Sequence, residues 1–92
     1  VKLLGARVDL DEVEGILCAC DGVVESAVVV DEAVLRGFVV LSNGTRIAGV
    51  REQAMRRLSP AMRLAWLNQV DAMPRTTSGK IDRKRLAVEL EV

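Results

Sequence analysis

Lys80 is the residue best placed to do chemistry. It follows Gly79 at the tip of Pro74-Arg75-Thr76-Thr77-Ser78-Gly79-Lys80. Pro74 can continue neither a helix nor a central strand. Three small hydroxyl residues before a glycine then make a loop, not a packed element. Behind the tip the chain turns basic and helix-like through Ile81-Asp82-Arg83-Lys84-Arg85-Leu86. A lysine on a flexible loop suits the delivery of one positive charge into a site built elsewhere. A phosphate-cradling P-loop would need glycine five positions before Gly79 and Ser or Thr after Lys80. Pro74 and Ile81 stand there, which rejects it.

Other constellations offer less. Cys18 and Cys20 are two apart and fall on different faces of a helix. With no His and no second Cys pair, a zinc site lacks ligands. Both read as small core or boundary residues in a reducing compartment. The cluster Arg75, Lys80, Arg83, Lys84 and Arg85 reads as a solvated basic face or as a docking surface for an acidic partner. The 13 Lys and Arg are matched by 13 Asp and Glu, which argues against a nucleic-acid binder driven by bulk charge. Phe38 and Trp66 are too few aromatics for a base-stacking surface. No apolar run is long enough to span a bilayer and no signal peptide is visible, so a cytoplasmic location without membrane attachment is expected.

The elements that must position Lys80 follow from patterning. An apolar start at Val1–Leu4 and a resumption at Arg7–Leu10 suggest a short hairpin with its turn at Gly5-Ala6. Asp9 and Glu12 have capping-box spacing, with Val8 and Val13 as the staple. Val13, Ile16, Leu17 and Cys20 recur at helical spacing up to a stop at Gly22. Val23–Val30 and Ala33–Ser42 read as antiparallel strands joined by a turn at Asp31-Glu32. Asn43-Gly44 is a turn signal, and Thr45 is a candidate cap. Ile47, Val50, Ala54 and Leu58 form one helix face, and Pro60 ends or bends that helix. Leu64–Val70 suggests a strand, and Asp82–Glu91 a terminal helix. The 92 residues make one small α+β domain: a sheet of short strands with helices packed on it and an N-terminal β-hairpin.

The stretch from Pro74 to Leu86 resembles the last motif of the adenylate-forming ligases, roughly P-x-T-x-x-G-K-[IV]-D-R-K-x-L. That superfamily contains acyl-CoA synthetases, nonribosomal peptide synthetase adenylation domains and luciferases. A second resemblance opens the chain. Val1-Lys2-Leu3-Leu4-Gly5-Ala6-Arg7-Val8-Asp9-Leu10-Asp11-Glu12-Val13-Glu14 is similar to the head of the C-terminal subdomain, V-K-I-R-G-x-R-[IV]-E-L-x-E-[IV]-E, with Leu4 in place of the first arginine. The two motifs bracket nearly the whole chain. The resemblance implies that residues 1–92 are a C-terminal lid subdomain beginning just past the family hinge, without the large N-terminal subdomain that holds most of the nucleotide and acyl pockets.

The roles carried over are specific. Lys80, with Ser78 and Gly79 beside it, would stabilise charge at the α-phosphate while ATP, with Mg2+, and a carboxylate give an acyl-adenylate. Gly79 would let the backbone come close. Gly5, Ala6 and Arg7 would then face the channel for a phosphopantetheine thiol after the subdomain rotates. The implied partners are the N-terminal adenylation subdomain and a peptidyl or acyl carrier protein. The wording leans towards a peptide synthetase. An acyl-CoA synthetase subdomain and a non-catalytic carrier-docking module stay open as alternatives.

Overall fold

The computed structural model describes residues 2–3, 6–7, 9–31 and 34–89. Strands β1 (Lys2–Leu3) and β2 (Ala6–Arg7) pair antiparallel as a two-stranded sheet of their own, Lys2 opposite Arg7 and Leu3 opposite Ala6. Ala6 thus belongs to a strand rather than to the turn. Gly5 and the staple residue Val8 lie outside the described residues.

Helix α1 (Leu10–Cys18) starts at Asp9, whose carboxylate accepts the Asp11 amide at 3.0 Å. A cap of this kind satisfies one of the orphan amides of the first turn. The bond falls on Asp11, one residue short of the amide a capping box would use at Glu12. The helix also ends before Gly22, with Ala19 as its cap. Gly22 has another task. At φ +84° it turns the chain into β3, and a Cβ there would lie 2.2 Å from the Thr45 hydroxyl oxygen. Both facts demand glycine.

β3 (Val23–Asp31) and β4 (Val34–Leu41) form the expected antiparallel pair, with Asp31 opposite Val34. The residues of their connection lie outside the described residues. Helix α2 (Ile47–Arg57) follows. Its N-cap is Arg46, without a side-chain cap bond, rather than Thr45. The Asn43-Gly44 turn brings Thr45 back to Ser42, so the Thr45 hydroxyl is bonded to that of Ser42 at 2.9 Å. Pro60 opens a short 3-10 turn, Pro60–Met62. β5 (Trp66–Gln69) then joins β4 in parallel. The sheet order is β3-β4-β5. Helix α3 (Arg83–Glu89) closes the described chain, two residues short of the Glu91 the sequence suggested as its end; that end lies outside the described residues.

The helices cover both faces of the sheet, because side chains alternate along each strand. Val28, Leu35, Val39 and Leu67 meet Val13 and Leu17 of α1, Val50 and Ala54 of α2, and Leu58 just past its end. On the other face, Ala27, Val29 and Phe38 meet Met73 and Leu86. Trp66 packs edge-on against Phe38 there, ring centroids 5.0 Å apart. β3 carries a bulge between Val23 and Glu25, with Val24 59% exposed. A bulge inserts one residue and resets which face the next side chains occupy. Val23 therefore packs with the α1–α2 face, while Glu25 shares the α3 face with Ala27 and Val29.

Candidate functional site

The stretch around Lys80 is not an irregular loop. Arg75 and Ile81 form an antiparallel bridge. The Thr76 amide donates to the Lys80 carbonyl at 2.8 Å, and the Gly79 amide donates to the Thr76 carbonyl at 2.9 Å. The Asp82 amide donates to the Pro74 carbonyl at 2.8 Å. This is a tight hairpin whose turn closes through a left-handed glycine, the pattern of a three-residue loop with a G1 bulge. Gly79 sits at φ +89°, and a Cβ there would meet nothing within 4 Å. Conformation, rather than close approach, therefore requires glycine within this chain. The Ser78 hydroxyl is bonded to that of Thr76 at 2.9 Å and bridges the turn.

The rest of the motif is a mounting. Ile81 packs on the core of the α3 face, and Leu86 is fully buried there. Asp82 caps α3 by accepting the Arg85 amide at 3.1 Å. Arg83 reaches across the domain to Glu14, donating to both carboxylate oxygens at 2.7 Å. Arg75 donates to the Gly79 carbonyl at 3.1 Å and forms an ion pair with Glu25.

The basic cluster therefore divides by task. Arg75 and Arg83 are engaged by Glu25 and Glu14. Lys80 is exposed at the tip, and its ammonium makes no hydrogen bond or ion pair among the described residues. An apolar groove of about 320 Å³ between α2 and β5, lined by Met55, Leu58, Leu64 and Trp66 among others, includes none of Ser78, Gly79 and Lys80. The lysine stands on a protrusion, which suits delivery into a site formed by other atoms.

The hairpin groups Ser78, Gly79 and Lys80. Ala6 and Arg7 belong to the separate two-stranded sheet, and Gly5 lies outside the described residues. Two acids given no role by sequence reasoning prove central. Glu14 accepts the Val28 amide at 2.8 Å as well as Arg83. Its only signal was its place at the end of the N-terminal motif. Glu25 had none, because its partner Arg75 lies 50 positions away in the chain. Ser26 is a buried polar residue whose hydroxyl donates to the Glu14 carbonyl at 2.9 Å. A carbonyl can only accept, so the Cys18 thiol, 3.0 Å away, is the donor to Ser26. Among the described residues no group of three His, Cys, Asp or Glu could hold a metal ion, and no helix is long and apolar enough to cross a membrane.

Comparison with known proteins identifies the family. Tyrocidine synthase 3 of Brevibacillus parabrevis is 35% identical over 91 residues, 94% of this chain but 1% of that protein. Gramicidin S synthase 2 of Aneurinibacillus migulanus is 37% identical over 92 residues, 94% of this chain and 2% of that protein. Among solved structures, Klebsiella oxytoca NpsA in complex with 3-hydroxyanthranilyl-AMSN superimposes with a TM-score of 0.80 at 26% identity, over 98% of this chain and 19% of that one. ATP-bound MatB of Rhodopseudomonas palustris gives 0.78 at 31% identity, over 89% of this chain and 18% of that one. The chain thus spans a small part of each relative. The AMP-binding enzyme C-terminal domain matches residues 12–80, from the first turn of α1 to the hairpin lysine. This chain belongs to the AMP-binding enzyme C-terminal domain family.

Proposed function

We propose that residues 1–92 act as the mobile C-terminal subdomain of an ATP-dependent adenylate-forming ligase, with Lys80 serving the adenylation half-reaction. The observation that carries this is the exposed Lys80 ammonium on a hydrogen-bonded hairpin, without a partner among the described residues. A charge so presented is available to an anionic oxygen and is already oriented before the reaction. Negative charge builds at the α-phosphate as a carboxylate displaces pyrophosphate from ATP. Removing one preorganised donor from such a site costs about 10²–10³-fold in rate. The described residues suit a phosphate oxygen but offer no metal-ligating cluster, so Mg2+ is assigned to the N-terminal subdomain, with most of the nucleotide pocket.

Gly5, Ala6 and Arg7 are assigned to the thioester half-reaction. There these residues serve the channel for the phosphopantetheine thiol of a peptidyl or acyl carrier protein. The 35% and 37% identities to peptide-antibiotic synthases favour a carrier protein over free coenzyme A as acceptor.

The test is a pair of single-turnover assays on the full-length ligase. Lys80→Ala should abolish acyl-adenylate formation from ATP yet load the thiol acceptor from preformed adenylate at near-normal rate. A bulky substitution at Gly5 should show the reverse bias. If loading by Lys80→Ala falls as far as adenylation while the melting curve is unchanged, the assignment is wrong.

A further inference from the structure

We propose that Glu25 is a positioning residue for Lys80, acting through Arg75. The proposal rests on the adenylation role assigned to Lys80 and adds how its tip is held. Arg75 sits at the foot of the hairpin, its backbone fixed by the bridge to Ile81. One guanidinium nitrogen donates to the Gly79 carbonyl at 3.1 Å, and another pairs with the Glu25 carboxylate. The Gly79 carbonyl belongs to the peptide joining Gly79 to Lys80. A glycine at φ +89° has wide freedom to rotate that peptide. The guanidinium holds it in one orientation, and with it the direction in which the Lys80 side chain leaves the hairpin. Glu25, fifty positions away on β3, holds the guanidinium.

Side-chain alternation along β3 places Glu25 on the hairpin face of the sheet, with Ala27 and Val29. With side chains 44% and 32% exposed, the Arg75–Glu25 pair contributes little to global stability. Its carboxylate also neutralises Arg75, so the positive charge presented at the tip is that of Lys80. The arrangement orients a charge more than it stabilises a fold. Misplacing a catalytic group by about 1 Å can cost about 10²-fold.

The decisive variant is Glu25→Ala, since Glu25 lies outside the hairpin. In the full-length ligase it should lower kcat for adenylate formation by about 10- to 100-fold, with KM for ATP changed less than about twofold. Thiol loading from preformed adenylate should stay near normal, and so should the melting temperature. Glu25→Gln, which keeps an acceptor oxygen, should recover part of the loss. Hydrogen exchange should quicken in the peptide covering 74–82 and stay unchanged in the peptide covering 34–41. Lys80→Ala, run in parallel, separates the two ideas. If Lys80→Ala abolishes adenylation while Glu25→Ala leaves both rate and exchange untouched, the positioning proposal fails and the role of Lys80 stands. If Lys80→Ala leaves adenylation intact, the role itself fails. Equal loss in both half-reactions, or a large fall in melting temperature, would make Glu25 an ordinary folding residue and overturn the proposal.

Discussion

Glu14 and Arg83 lie 69 positions apart and share an ion pair in which the guanidinium donates to both carboxylate oxygens at 2.7 Å. Glu14 ends the N-terminal motif and Arg83 follows Lys80 in the C-terminal one. The same carboxylate accepts the Val28 amide of β3, an outer strand of the sheet. Edge strands carry unpaired backbone groups that need covering. Glu14 thus covers part of the sheet edge and anchors the start of α3 in one place.

That double duty separates two variants. Glu14→Ala leaves the Val28 amide and the Arg83 guanidinium without their acceptor, at a cost of about 1–3 kcal/mol. Each kcal/mol should lower the melting temperature by about 4–8 °C in a domain this small. Arg83→Ala should cost under about 1 kcal/mol, because Arg83 is 44% exposed and Val28 keeps its partner. Thermal melts of both would show the asymmetry; equal losses would deny Glu14 its role at the strand edge.

Gly79 predicts a ranking by backbone conformation. A non-glycine residue in the left-handed region costs roughly 1–2 kcal/mol, and asparagine tolerates it best. Since no atom lies within 4 Å of a Cβ at this position, sterics add nothing. Gly79→Asn should keep the Thr76 amide protected from exchange better than Gly79→Ala. Identical protection in the two would mean that the turn does not depend on this torsion.

Leu86 ties the motif to the core. It is fully buried with Phe38, Ala27 and Met73. Leu86→Ala should destabilise by about 2–5 kcal/mol, a large share of the 5–15 kcal/mol that is usual for a domain. Leu86→Met, which conserves volume, should cost under about 1.5 kcal/mol. Denaturant midpoints measure both, and a small effect of Leu86→Ala would place α3 outside the cooperative core.

Cys20 predicts a pH dependence. Burial pushes its thiol above the ordinary value of 9.0, while Arg57 opposes the shift and Asp21 and Cys18 add to it. Its hydrogen bond to the Ile16 carbonyl at 3.5 Å also favours the protonated form. Above pH 9 the unfolded chain sheds the proton and the folded chain keeps it, so stability falls as pH rises through the folded value. Below pH 9 the contribution is fully present. Cys20→Ala should remove this alkaline component. Unfolding curves over roughly pH 8 to 10 would show it as a shallower decline. An iodoacetamide time course should label exposed Cys18 before buried Cys20.

The element order was legible because it is written in local periods. Valine-rich runs marked β3 and β4, three-and-four spacing marked the buried faces of α1 and α2, and Pro60 marked the end of α2. The motif around Lys80 was legible as residue types in order. What the sequence left open were the features that depend on partners distant in the chain. Gly22 turns the chain into β3 against Thr45, 23 positions on, so it does not end α1; Thr45 itself bonds Ser42 and leaves the N-cap of α2 to Arg46. The supposed loop at 74–80 became a hairpin because Arg75 met Ile81 across the turn and Glu25 of β3. Local periodicity and residue order determined that the chain would build a small α+β core and carry a lysine on a turn. Only the tertiary structure decided which carboxylates hold that turn in place, since charged side chains follow no periodicity and find their partners after the backbone has brought them together.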